Sequence, residues 1–344
     1  MDVVVIGAGP AGTAAAITLA PHASVTLLHR PQPRPRPGET HPPGVEPVLR
    51  QLGVWPHALQ CCSARQSGHW VLEPSCSRFV PYGEDADGPW LNLQIDGADL
   101  DAALRRRAVE LGVRLLEVET VRVMPDGERI VVLADGPALE GFVIDASGRA
   151  QLLARALDLP VQHVSPPLVA RFGWCEAADI SHPNAPTFAG DPEGWTWVAP
   201  LGGSRWAWTR IDLQRGRRAA TWVPQVLEPS HTRSPPRGLD VRWSLVPACA
   251  GRGYAIVGDA AATLDPALGH GVLKGMMTGM MAATLAPQIA TGDVSPHAYR
   301  RWVADWFRSD AQQLLTAYRA MAPDHSWVQT LARTMDAVHQ NDTT

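Results

Sequence analysis

Gly7-x-Gly9-x-x-Gly12, directly behind the apolar run Val3-Val4-Val5-Ile6, is the first place in the chain where residue type and spacing specify chemistry. Between a strand and a helix, Gly7 permits a tight turn, Gly9 lets the backbone approach a pyrophosphate, and Gly12 lets helix and strand pack closely. The helix N-terminus adds partial positive charge for the phosphates, so a dinucleotide is the expected ligand. A carboxylate to hold its ribose is expected at the end of the next strand, but Val25-Thr26-Leu27-Leu28 runs into His29 and Arg30 instead. An imidazole makes one hydrogen bond where a carboxylate grips two, and weaker cofactor affinity is the expectation.

Other reactive side chains are few. His270 interrupts a glycine-rich stretch, Asp265-Pro266-Ala267-Leu268-Gly269-His270-Gly271, and is the best acid/base candidate nearby. Lys274 is the only lysine among 30 Lys and Arg residues, so any chemistry that needs a lysine must use it. Glu39 and His41 flank Thr40 in Gly38-Glu39-Thr40-His41-Pro42-Pro43. Trp195 and Trp197, like Trp206 and Trp208, are spaced i, i+2, which puts each pair on one face of a strand, and the four indoles are expected to line an aromatic binding surface.

These residues need elements to hold them. Val3 to Ile6, the glycine turn, a small-residue helix over Ala14 to Ala20 and a strand over Ser24 to His29 read as a βαβ start, and the Pro/Arg stretch from Pro31 to Pro37 as a loop. A short helix over Glu46 to Leu52 and a strand over His69 to Glu73 follow. A helix over Asp99 to Leu111 puts Leu100, Leu104, Ala108 and Leu111 on one face, ahead of strands at Val113 to Val118, Arg129 to Ala134 and Phe142 to Ala146. Pro166 to Pro247 is strand-like and tryptophan-rich; a last strand, Tyr254 to Val257, meets Gly258-Asp259 and a long helix through Ala283, and the remainder is helical.

The pattern predicts a discontinuous nucleotide-binding domain over residues 1–60, 96–165 and 251–295, an inserted antiparallel sheet domain over 61–95 and 166–250, and a C-terminal helical segment over 296–344. With 344 residues, 45% hydrophobic and 19% charged, the chain can fill two cores and is too apolar for disorder. A net charge of −4 without a basic run argues against nucleic acid as a partner. The apolar runs are strand-length, short of the ~20 residues that cross a bilayer, and no membrane partner is expected. An opening strand without a basic leader, and five cysteines in no C-x-x-C spacing, lead us to expect a cytoplasmic protein with free thiols and no metal site.

Three segments together resemble FAD-dependent enzymes of the aromatic-hydroxylase fold: the glycine turn, Phe142-Val143-Ile144-Asp145-Ala146-Ser147-Gly148-Arg149, and Tyr254 to Ala261 followed by Leu264 to Gly271, in the family order. The resemblance implies an α/β fold with a Rossmann-like FAD-binding domain of the glutathione-reductase or aromatic-hydroxylase type, an inserted antiparallel substrate sheet and C-terminal helices. It implies that Asp259, after Gly258, holds the ribityl chain and that Pro266, Gly269 and Gly271 lie beside the flavin. The Gly38 to Pro43 segment, followed by Leu52-Gly53-Val54-Trp55, is similar to the GE-x-x-P-P segment of tryptophan halogenases, geranylgeranyl-reductase-like proteins and the flavoprotein partners of quinoprotein lysine and glycine oxidases (the LodB and GoxB type), and length favours the last group. In relatives this segment approaches the flavin and the substrate tunnel, which nominates Glu39 and His41. Gly97 stands where these families commonly carry an arginine. Gly194-Trp195-Thr196-Trp197-Val198-Ala199-Pro200 is similar to the halogenase W-x-W-x-I-P box, with Ala199 in place of isoleucine. Family halogenases use a lysine remote from the flavin, whereas Lys274 falls in the helix after the flavin loop, so halogenation is not expected.

Three activities remain open: hydroxylation of a tryptophan side chain in a precursor protein, oxygenation or reduction of a small natural product, and a maturation role without turnover. The partners implied are a polypeptide bearing the target tryptophan and an electron source, either NAD(P)H or a separate flavin reductase.

Overall fold

The computed structural model describes residues 1–31, 39–73, 76–127, 129–136, 138–176, 185–213, 222–224, 227, 231–232 and 235–341. Most of the Pro/Arg stretch, and Gly38, lie outside these residues.

The nucleotide half is a six-stranded sheet in the order Arg114–Glu117, Ser24–His29, Asp2–Ile6, Phe142–Asp145, Tyr254–Ile256, Ala250–Gly251, parallel except for its last pair. Val3, Val4, Val5 and Ile6 are buried on both faces, which is why the run is continuous rather than alternating. The Pro10–Leu19 helix returns over the sheet with Thr13, Ala14, Ala15 and Ala16 at 0% exposure. A β-carbon on Gly12 would overlap the Gly7 carbonyl oxygen, and one on Gly279 would overlap the Ala11 carbonyl oxygen. The first helix therefore meets both its own turn and the Gly271–Thr291 helix at backbone distance, and only small residues fit there.

The second layer is an eight-stranded sheet. Its path is His231–Thr232, Val169–Glu176, Arg205–Asp212, Gly194–Pro200, Thr187–Asp191, Gly68–Leu72, Ser77–Pro81, with Arg237–Asp240 also pairing to Val169–Glu176. All pairs are antiparallel except Thr187–Asp191 with Gly68–Leu72. A small sheet of Glu39–His41, Leu93–Ile95 and Cys62–Ala64 carries the Thr40 segment.

The long C-terminal helices belong to the core. Tyr299 in the Pro296–Met321 helix is fully buried and donates to the Ile256 carbonyl at 2.9 Å, and Arg300 Nε donates to the Ala250 carbonyl at 2.6 Å. Two short strands the sequence did not signal, Arg122–Asp126 and Ala138–Glu140, flank Arg129–Leu133; they are short and largely exposed, and their apolar residues follow no strand alternation. No helix among the described residues is long and apolar enough to cross a membrane.

Candidate active site

The three N-terminal glycines divide their tasks. Gly7 has φ +106°, and a β-carbon there would overlap the Ala146 carbonyl, so Gly7 and Gly12 are required by packing. Gly9 caps the Pro10–Leu19 helix without any side-chain hydrogen bond, and nothing lies within 4 Å of a β-carbon built on it. Gly271, at the start of its helix, is equally open. A phosphate can reach the backbone at Gly9 and a planar ring can approach Gly271, so the residues present fit a flavin dinucleotide.

Around this cradle, Asp145 is fully buried and accepts from the amides of Ser147 and Leu153, both at 2.8 Å, which pins the turn after the fourth sheet position. Burial pushes its carboxyl above the usual carboxylate range against those bonds. Gly258 has φ +58° and donates its amide to Thr278 Oγ1 at 2.9 Å. Asp259 is half exposed, with Arg149 Nε 3.8 Å from its carboxylate. His29 ends its strand with Nδ1 3.0 Å from the Arg30 carbonyl, and Arg30 is exposed. The neighbouring strand brings Glu117 into register with His29, a carboxylate that the linear sequence does not flag.

The loop from Pro266 to Gly271 is held at both ends by one distant helix. At its start, Asp265 is fully buried and accepts from Ala267 N at 3.0 Å and from Trp243 Nε1 at 2.7 Å, with a further hydrogen bond to Tyr318. Tyr318 in turn accepts Trp195 Nε1 at 2.9 Å. Burial pushes Asp265 up to about 6, and burial also holds the Tyr318 hydroxyl well above its ordinary value. At its end, His270 Nδ1 and Lys274 Nζ lie 3.9 and 3.6 Å from the same Asp310 oxygen, and Lys274 sits 5.1 Å from the centre of the Trp306 ring. Asp310, Tyr318 and Trp306 all come from the Pro296–Met321 helix, where no motif announced them.

On the substrate side the structure corrects the shared tryptophan surface. Register pairs Trp197 with Thr209 and Trp195 with Ile211, but Trp208 with Val198 and Trp206 with Pro200, so the two indole pairs occupy opposite faces of the sheet. Trp206 and Trp208 close a separate buried cluster with Cys175, Val198 and Leu227, edge-on to Trp222. Spacing fixed which face each pair shares with itself, but only the pairing register could say whether the two pairs agree. Trp195 is also buried, tied to Tyr318; of the four, Trp197 alone is partly exposed.

Trp197 Nε1 donates to Thr40 Oγ1 at 3.1 Å, and Gln94 Nε2 donates to the same oxygen at 2.8 Å. A β-carbon on Gly269 would lie 3.7 Å from the Thr40 carbonyl, so Thr40 joins the Pro266–Gly271 loop to the sheet. Its neighbour His41 alternates to the other side of the strand and is 1% exposed. The Glu39 backbone pairs with Ile95, and its side chain lies outside the described residues.

A family model described as tryptophan halogenase matches residues 77–272, more than half of the chain. This chain belongs to the tryptophan-halogenase family of FAD-dependent enzymes. It is 27% identical over 336 residues to a tryptophan 2-halogenase of Chondromyces crocatus, covering 85% of this chain and 62% of that protein. The family member thus spans about three fifths of that halogenase. It is also 28% identical over 323 residues to a menaquinone reductase of Mycobacterium tuberculosis (strain H37Rv), covering 83% of this chain and 76% of the reductase. Among solved structures, a peptidyl tryptophan dihydroxylase, QhpG, described as essential for tryptophylquinone cofactor biogenesis, shares the fold at TM-score 0.72 and 21% identity, over 96% of this chain and 78% of that one.

Proposed function

We propose that the chain is a monooxygenase that hydroxylates a tryptophan side chain in a precursor polypeptide, a step towards a tryptophan-derived quinone, with NAD(P)H or a separate flavin reductase as electron source. Overall, a ring C–H, O₂, two electrons and two protons become C–OH and water. The observation that carries the choice of oxygenation over halogenation is the placement of Lys274. The sole lysine is committed to Asp310 at 3.6 Å and to the Trp306 ring, on the helix side of the flavin loop. The face that Trp197 and Thr40 present has no lysine to engage a hypohalous acid.

Bound FAD supplies the two-electron activation of O₂. The chain supplies position and proton handling. Gly9 would seat the pyrophosphate on a turn that Gly7 and Gly12 shape, His29 and Arg30 would lie at the ribose end, and Gly258, Asp259, Pro266, Gly269 and Gly271 would surround ribityl chain and ring. His270, held near Asp310, would move a proton beside the bound group. Trp197 walls the substrate space, and Thr40 sets its orientation. The division into a nucleotide domain over 1–60, 96–165 and 251–295 and a substrate sheet over 61–95 and 166–250 belongs to the same proposal.

The test is mass spectrometry of a co-expressed precursor with the wild type and with Gly9→Asp. A gain of oxygen mass on one tryptophan, with the wild type only, is the expected result; a chlorine mass gain in the presence of chloride would return the chain to halogenation. Likeness to a menaquinone reductase favours one second reading, reduction of a lipid-like substrate. That reaction would run without oxygen, whereas hydroxylation stops under anaerobic conditions.

A further inference from the structure

Two helix faces meet behind the Pro266–Gly271 loop. His270 stands immediately before the Gly271–Thr291 helix, and the Lys274 amide donates to the His270 carbonyl at 2.8 Å, so the two side chains lie one turn apart on one face. Trp306 and Asp310 have the same spacing on the Pro296–Met321 helix. The faces interlock: Lys274 Nζ is 5.1 Å from the centre of the Trp306 ring and 3.6 Å from an Asp310 oxygen, and His270 Nδ1 is 3.9 Å from that same oxygen. Asp310 is 6% exposed, so its carboxylate is turned to these two groups rather than to solvent.

This packing makes the two edges of the imidazole unlike. Nδ1 is buried and has no hydrogen-bond partner among the described residues, and the carboxylate it faces is that of Asp310. The side chain as a whole is 37% exposed, so its open edge is the far one, which carries Nε2. A neutral imidazole has one N–H and one lone pair to distribute between the two nitrogens. With the lone pair on Nδ1, two acceptors would face each other away from water; with the proton on Nδ1, a donor faces a carboxylate. The second arrangement is the favoured one, and it leaves the lone pair on Nε2, at the accessible edge. Lys274 shares the Asp310 oxygen and offsets much of its charge, so what Asp310 supplies to the ring is chiefly orientation.

We infer that Asp310 is a positioning residue: it fixes neutral His270 as the Nδ1–H tautomer and so makes Nε2 the nitrogen that accepts a proton in the loop between Gly269 and Gly271. The inference rests on the proton-handling role proposed for His270 and adds which nitrogen performs it and what holds the ring. One proton moves: it arrives on Nε2, the Nδ1–H bond stays intact, and the proton leaves to solvent from the same exposed edge.

The experiment reads the tautomer directly, by long-range proton–nitrogen correlation NMR of isotopically labelled histidine in the FAD-loaded, unreduced full chain, at mildly alkaline pH where a histidine ring is neutral. The signal that disappears in His270→Gln identifies the ring. The wild type is expected to hold Nδ1–H over Nε2–H by on the order of ten to one. Asp310→Leu, of similar size, should revert to the mixture dominated by Nε2–H that an unconstrained histidine shows; Asp310→Asn, which keeps an acceptor, should retain part of the preference, and Lys274→Met should retain all of it. Circular dichroism confirms that each variant folds. A wild-type ring that is mainly Nε2–H, a preference undiminished in the Asp310 variants, or its loss in Lys274→Met overturns the inference. Preference lost with Asp310 but no oxygen gained by any co-expressed precursor would leave the Asp310–His270 pair standing and overturn the hydroxylase reading instead.

Discussion

Asp265 should make the folded state less stable as pH rises through mild acidity, the reverse of an ordinary ion-paired carboxylate. It is fully buried at the start of the flavin loop, and burial pushes it from 3.8 up to about 6 even though Ala267, Trp243 and Tyr318 hydrogen-bond to it. A folded-state pKa above the unfolded one means that between these values the folded chain holds a proton that the unfolded chain has lost. The stabilisation is therefore fully present below about pH 4 and gone once pH passes about 6. Two pKa units at about 1.4 kcal/mol each give about 3 kcal/mol across that window. Asp265→Asn removes the titration while keeping the size of the side chain. Urea unfolding of both proteins from pH 4 to 7.5, at one FAD loading, cancels the remaining carboxylates in the difference. The variant's stability relative to wild type should rise by about 3 kcal/mol between pH 4 and 7. Parallel curves would refute the reasoning, because they would mean that Asp265 carries the same proton affinity folded and unfolded.

Gly9→Ala should leave unfolding of the FAD-free chain unchanged, since nothing opposes its β-carbon, yet weaken FAD binding at least ten-fold; Gly12→Ala should instead unfold the chain, read by circular dichroism. His29→Glu should tighten FAD, measured by fluorescence titration, by supplying the missing carboxylate grip; wild-type protein that retains its FAD without exchange would count against this. Trp208→Ala should cost about 3 to 5 kcal/mol of stability in urea, whereas Trp197→Phe should raise the KM for substrate with little loss of stability. Incubation with flavin reductase, chloride and oxygen should yield no chlorinated tryptophan, by mass spectrometry.

The nucleotide half was legible because its constraints are local. Gly7, Gly9 and Gly12 act within one turn, and the apolar run Val3 to Ile6 records burial on both faces. The eight-stranded sheet was legible only as composition. Tryptophans at i, i+2 were visible, but whether Trp206 and Trp208 join Trp195 and Trp197 depends on register across the Gly194–Pro200 and Arg205–Asp212 pair, and a one-residue slip would have reversed the answer. His41 was nominated by the resemblance of its segment to one that approaches the substrate tunnel in relatives, yet Thr40 makes the contact with Trp197, because alternation along a three-residue strand sends the two side chains opposite ways.

Asp310 and Tyr318 show what kind of information a fingerprint omits. They are eight residues apart on the Pro296–Met321 helix, with Leu314 between them, and all three are buried. A spacing of i, i+4, i+8 keeps them on one face. That face meets the flavin loop twice, at Asp265 through Tyr318 and at His270 and Lys274 through Asp310. The loop motif says where a flavin belongs, but its glycines have little intrinsic stiffness, and the loop's shape is imposed from a helix some forty residues further along the chain. Tyr318 also accepts Trp195 from the eight-stranded sheet, so the same helix face ties the Pro266–Gly271 loop to that sheet. A change in the sheet at Trp195 can then reach the loop through one hydroxyl and one carboxylate, without passing through either glycine fingerprint.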